Sequence, residues 1–181
     1  LADLGLSMPS GHTVLGRTHW DPAARDFTDA WKYTVEDAAV AGQKFVVSPW
    51  LDESLRKNYD DFKAYMEVFN KSGELCRKSG MKFGYHNHDF EFDQQGGKYP
   101  YDVLLDNTDH NLVKMEMDLY WVTKAGQDPI KLFNQHPGRF PLWHLKDMDN
   151  TAAHAFTEVG NGTIDFKKIF ANKEKAGMKY F

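Results

Sequence analysis

Residues 82–92, Lys82-Phe83-Gly84-Tyr85-His86-Asn87-His88-Asp89-Phe90-Glu91-Phe92, decide how the chain is read. An apolar, aromatic run enters this segment, and two histidines leave it separated by a single asparagine. In a β-strand, residues i and i+2 face the same way. The pattern therefore predicts that His86 and His88 project together, with Glu91 folding back over their face where the strand ends. Val113-Lys114-Met115-Glu116-Met117-Asp118 repeats the pattern and puts Glu116 and Asp118 on one face. Pro141-Leu142-Trp143-His144-Leu145-Lys146-Asp147 repeats it again with His144 and Lys146. Three short apolar strands each carry a pair of ionisable groups toward their C-terminal ends.

Between these strands the chain reads as helix. A strand at residues 6–13 ends in the polar turn Pro9-Ser10-Gly11-His12, and a helix over 29–42 follows with Thr28 as its N-cap. The segment 44–50 (KFVVSPW) is a strand with Pro49 confined to its end. One long helix is expected over 53–79, closed by a basic last turn and Gly80. Shorter helices are expected over 101–107, 128–135 and 165–176, with a long loop over 148–163. The opening residues 1–6 read as the close of a helix and 178–181 as a strand just beginning, so the chain reads as a piece of something longer. Strands spaced roughly 30–40 residues apart with helices between them imply parallel pairing through helical crossovers. Such strands are buried on both faces, and ionisable groups concentrate at the C-terminal rim. The expected architecture is α/β in a single domain over residues 1–181, with about six strands counted where a closed (β/α)8 barrel needs eight.

The composition of the 181 residues, 41% hydrophobic and 14% aromatic, is that of a globular domain with a sizeable core. The formal net charge of −4 argues against a nucleic-acid face. The single cysteine, Cys76, offers no internal disulfide. No apolar run approaches the roughly 18 residues of a membrane span. The compartment, cytoplasmic or periplasmic, stays open, as does a homo-oligomeric state.

His, Asp and Glu on neighbouring strands offer nitrogen and oxygen ligands to one divalent ion such as Mn²⁺, Co²⁺, Zn²⁺, Mg²⁺ or Fe²⁺. The bland alternative is a set of hydrogen-bonded rim residues, but three i,i+2 pairs on consecutive strands favour the metal, because buried charges persist when paired or coordinated. Lys146 either polarises a carbonyl or forms a salt bridge to Asp147, Glu116 or Asp118. Trp50 and Trp121, at strand ends, can stack on a sugar face, although large aromatics are more often core. Gly160-Asn161-Gly162 lacks the spacing of a phosphate-binding loop and reads as a turn.

Taken together, GMKFGYHNHDFEF, MEMDLYWVTKAGQDP, PLWHLKDMD and EVGNGTIDF resemble the xylose isomerase-like TIM-barrel family, which comprises sugar phosphate isomerases and epimerases, with inosose dehydratases and 3-keto-glycoside lyases or hydratases among its relatives. The resemblance implies a divalent metal at the barrel mouth held by a Glu, an Asp, a His and a second Glu. By position Asp118 and His144 are the Asp and His. The first ligand is either His86, standing where many members have Glu, or Glu91. The closing Glu would lie beyond Phe181. His12 matches a position that faces substrate in relatives. The resemblance implies an isomerase or epimerase working on a sugar or keto-sugar through an enediolate, with acid/base groups drawn from His88, Glu91, Glu116 and Lys146. Elimination on the same fold is the alternative, and a non-catalytic sugar-binding subunit is the reading from another class.

Overall fold

The computed structural model describes residues 2–181. Five strands pair in parallel and in chain order: β1 (Ser10–His12), β2 (Phe45–Ser48), β3 (Lys82–His86), β4 (Val113–Asp118) and β5 (Leu142–His144). A sixth parallel neighbour begins at Tyr180, which bridges Leu142 and accepts a 3.0 Å hydrogen bond from the Trp143 amide. The expected parallel order is therefore present, and the sheet is the open part of a barrel.

Register fixes which side chains share a face. His86 lies opposite Glu116, Glu116 opposite Leu142, and Asp118 opposite His144. His12 lies opposite Val47, and Val47 opposite Gly84. Adjacent strands stand about 4.8 Å apart, so β1 and β4 would be on the order of 14 Å apart in a flat sheet. Yet His12 and Glu116 touch through their side chains. The sheet curls, and these residues line its concave side.

The convex side is covered by helices: α1 (Asp29–Val40), α2 (Tyr59–Lys78), α3 (Pro100–Asn107), α4 (Leu119–Lys124), α5 (Pro129–Gln135), α6 (Phe166–Phe170) and α7 (Lys173–Ala176). Val46, Phe83, Tyr85, Val113, Met115, Met117 and Trp143 join one large core with residues of these helices. In α2 the buried positions Phe62, Met66, Phe69, Gly73 and Cys76 recur at helical spacing. A Cβ on Gly73 would come within 2.6 Å of the Leu112 side chain, so glycine here lets α2 approach the lead-in to β4. Burying each large apolar side chain stabilises the fold by about 1.5–3 kcal/mol. Among the described residues the concave side carries a small apolar cluster of its own, Phe45, Val47 and Leu142.

Several boundaries differ from the sequence expectation. The helix expected over 53–79 breaks into a 3-10 turn, Glu53–Leu55, and α2, because the Asn58 side chain accepts the Asp61 amide at 2.9 Å and starts a new helix. The helix expected over 165–176 divides into α6 and α7. Thr28 precedes α1 without capping it, and its hydroxyl donates instead to the Thr18 carbonyl at 3.0 Å. The expectation for residues 1–6 falls partly on Leu1, outside the described residues, and Ala2–Leu4 form a 3-10 turn. Among the described residues no helix is long and apolar enough to cross a membrane.

Candidate metal centre

Asp118 is the last residue of β4 and fully buried, and it is held from several directions. Its Oδ1 accepts the Trp121 amide at 3.0 Å and so caps α4, a helix absent from the sequence expectation. Its backbone amide donates to Asn87 Oδ1 at 3.1 Å. Its Oδ2 faces His86 Nε2 at 3.3 Å, His144 Nδ1 at 3.1 Å and Lys146 Nζ at 3.1 Å. The two imidazole nitrogens are themselves 2.9 Å apart. Burial pushes the Asp118 carboxyl up, but hydrogen bonds from His86 and the Trp121 amide, with the charge of Lys146, outweigh it and hold the group below its ordinary value. Burial is also the main cause that lowers His144. A neutral imidazole and an ionised carboxylate are the forms in which these groups bind a metal.

His86, Asp118 and His144 are the described residues whose nitrogen and oxygen donors converge closely enough to hold an ion. Donors 2.9–3.3 Å apart match adjacent corners of a coordination shell with bonds of about 2.1 Å. Two imidazoles and a carboxylate suit Zn²⁺, Mn²⁺, Co²⁺ or Fe²⁺ better than Mg²⁺, which prefers oxygen. The residues present therefore fit such an ion.

The surrounding groups are ordered around this point. His12 Nε2 lies 2.8 Å from Glu116 Oε1, and its ring is 5.3 Å from that of His86. The hydrogen bond to Glu116 raises the His12 pKa against the opposing effect of burial. His12, Glu116, His144 and Tyr180 line an open cleft of about 390 Å³ on the concave side. His88 lies past the end of β3 but does join His86, ring to ring at 5.0 Å, as the alternation predicts. Trp50 and Trp121 pack on His88 at 5.2 and 5.6 Å. Burial and the nearby His86 push His88 down to about 4.

Lys146 also lies beyond its strand, since β5 ends at His144. Of the salt-bridge partners open to it in sequence, it takes Asp118. Its ammonium stands 5.5–5.7 Å from the rings of Tyr120, Trp121 and Phe156, within cation–π range. Tyr120 and Phe156 went unnoticed in the sequence, and only the N-cap pattern Asp118-Leu-Tyr-Trp121 could have signalled the turn that brings Tyr120 in.

Glu91 goes elsewhere. The structure turns it away from the His86 face toward Tyr85, on the opposite side of β3. There its carboxylate accepts the Tyr85 hydroxyl at 2.6 Å and the His88 amide at 2.8 Å. It is fully buried, and burial pushes it up to about 7 despite those hydrogen bonds. It lies outside the converging donor group. Asp147, also read as a partner for Lys146, accepts backbone amides from Met148, Gly160, Gly162 and Ile164 at 2.8–3.1 Å. A Cβ on Gly162 would sit 2.3 Å from Asp147 Oδ1. The Gly160-Asn161-Gly162 turn is thus a wrap around a buried carboxylate, in agreement with its reading as a turn.

The model of the xylose isomerase-like TIM barrel matches residues 1–179. The chain belongs to that family. An inosose dehydratase of Clostridium perfringens is 29% identical over 167 residues, covering 81% of this chain and 55% of the relative. A sugar phosphate isomerase/epimerase from Parabacteroides distasonis superposes with a TM-score of 0.81 at 30% identity, covering 99% of this chain and 64% of that one. A third structure, the IOLI protein with a bound zinc atom, has a TM-score of 0.69 at 15% identity and covers 95% of this chain and 64% of its own, a likeness of fold. The chain spans about half the length of the curated relatives it matches.

Proposed function

We propose that the protein carrying this chain removes a proton next to the carbonyl of a sugar or keto-sugar with the help of one divalent metal, and returns it to give an isomer or epimer. The observation that carries this reading is the convergence of His86, Asp118 and His144 on one point, with His12, its ring 5.3 Å from that of His86, hydrogen-bonded to Glu116. The bound zinc in a neighbour of the same fold supports it. His86, Asp118 and His144 would hold the ion, which when bound supplies Lewis-acid polarisation of the substrate carbonyl.

The chain's own groups do the rest. Glu116 accepts the proton, and His12, its hydrogen-bond partner, keeps the carboxylate aimed into the cleft and shares the proton. Lys146 places its positive charge where an enediolate oxygen develops. His88, neutral at pH 7, contributes a ring nitrogen beside His86. Trp50 and Trp121 cover the apolar face of the sugar. A second reading, elimination of water from the same enediolate, is favoured by relatives that are inosose dehydratases.

The test is incubation of the full-length, metal-loaded protein with a panel of keto-sugars and inososes in D₂O. Deuterium incorporated at the carbon beside the carbonyl, lost on chelation and restored by Mn²⁺, Co²⁺ or Zn²⁺, is the expected result. Product mass distinguishes the two reactions, an isomer keeping the formula of the substrate and a dehydration product lacking one water. No incorporation with any substrate, in a protein that holds one equivalent of metal, would overturn the reading.

A further inference from the structure

We infer that Asn161 is a site of spontaneous deamidation held in check by Asp147, so that its conversion to aspartate and isoaspartate follows the opening of the loop wrapped around that carboxylate. The inference is independent of the sugar-directed reading above. Asn161 precedes Gly162 in the one Asn-Gly step of the sequence. Deamidation begins when the backbone nitrogen of the following residue attacks the asparagine Cγ. A glycine at that position puts no side chain in the way. The nitrogen gives up its proton, the N–Cγ bond forms, and Nδ2 takes up a proton and leaves as ammonia. Water then opens the five-membered imide at either carbonyl, giving aspartate or isoaspartate. One water is consumed and one ammonia released, with no change of oxidation state.

The asparagine side of this reaction is ready. Asn161 is exposed, and its side chain is held by one long contact, Nδ2 donating to Glu158 Oε2 at 3.4 Å. The obstacle is the Gly162 nitrogen. In the imide, Cγ takes the place that the amide hydrogen holds in the peptide. In the folded chain that hydrogen points at Asp147 Oδ2, with nitrogen and oxygen 3.0 Å apart. A carboxylate oxygen therefore stands where Cγ must arrive. Such charge-assisted bonds are roughly twice as strong as neutral ones, and Asp147 cannot yield easily. It is buried and also accepts the amides of Met148, Gly160 and Ile164. On the far side, Thr163 donates its amide and its hydroxyl to the Met148 carbonyl at 2.8 and 3.1 Å. A Cβ on Gly162 would lie 2.3 Å from both Asp147 Oδ1 and the Met148 carbonyl oxygen, so the glycine backbone has no room to swing. Ring closure must wait for local opening of the turn. Isoaspartate then adds a methylene to the backbone between 161 and 162, and Gly162 no longer returns to Asp147 in register. The loop that carries Phe156 to Lys146 loses that anchor.

The experiment ages the full-length protein in mildly alkaline buffer, folded and in denaturant, and follows the peptide containing Asn161 by mass spectrometry, with isoaspartate resolved chromatographically. The expected result is deamidation at least about ten-fold slower in the folded protein than in the unfolded chain, as for a group that reacts from an open state. Asp147→Asn should bring the folded rate close to the unfolded one. Gly160→Ala provides a second route if Asp147→Asn folds poorly. Gly160 has φ +95° with nothing within 4 Å of an added Cβ, so the change strains the turn without disturbing the core. It should speed deamidation of the folded protein in step with hydrogen exchange at the Gly162 amide. Equal rates in the folded and unfolded wild type would overturn the proposal. A folded Asp147→Asn or Gly160→Ala protein that deamidates no faster than wild type would overturn it as well. So would a folded wild type faster than the unfolded chain, since Asp147 would then be acting as a base for the attack and not as a guard against it.

Discussion

On the convex side of the sheet, Phe83, Tyr85, Met115 and Met117 are fully buried against the helices. On the concave side, the residues that alternate with them in the same strands are Gly84, His86, Glu116 and Asp118. The backbone is shared, so the difference lies in what faces each side. The convex side excludes water and gains stability from packing. The concave side brings ionisable groups within 3.3 Å of each other and must balance their charges. That balance is local, with Lys146 and two imidazoles around one carboxylate oxygen. A core assembled by area burial tolerates small shifts better than a cluster that depends on donor positions.

The sharpest way to break the contrast is Asp118→Asn, which keeps the shape but removes the charge at the centre. We expect metal affinity to fall by at least about 100-fold, measured by elemental analysis after dialysis, and turnover to vanish with it. Retention of a full equivalent of metal would remove Asp118 from the ligand set. On the opposite side of the same sheet, Phe83→Ala should cost about 3–5 kcal/mol of stability. The fraction that remains folded should still load metal normally, so a denaturant titration and a metal assay on one sample separate the two faces.

Glu91 sharpens the comparison because it is a charged-type residue recruited to the convex side. Its pKa in the folded state, about 7, lies above the ordinary 4.5. The folded protein therefore binds a proton that the unfolded chain has released between those values. Stability from this group is present below about pH 4.5 and is lost as pH rises toward 7, on the order of 3 kcal/mol across the window. Glu91→Gln should flatten the pH dependence of the urea midpoint between pH 5 and 7; an unchanged slope would show that another group titrates there. The smallest effect is expected from Gly73→Ala, where the added methyl meets Leu112. It should destabilise by about 1–3 kcal/mol, readable as a lower melting temperature with no change in metal content.

Much of the concave face was legible before any coordinates. The alternation in YHNH, MEMD and WHLK named His86, Glu116, Asp118 and His144, because strand geometry obliges residues i and i+2 to share a face. His88 and Lys146 reached the site although both lie beyond strand ends. The fate of Glu91 was not legible. Residues 90–92 form a 3-10 turn, and a turn has no period that tells which side a residue will face. Asp147 was equally opaque, since three of its four amide donors come from a loop that closes 13 to 17 residues later.

What the sequence determined by itself was local and periodic: parallel strands joined by helices, a helical stripe on α2, and pairs of ionisable groups at strand ends. Only the tertiary structure decided the partners. Strand register put Asp118 beside His144 and His86 beside Glu116, and the curl of the sheet let His12 reach Glu116 across two intervening strands. The physical reason is one of range. Backbone sterics and hydrophobic periodicity act within a few residues, whereas an ion pair or a metal site depends on distances set by every strand between its members.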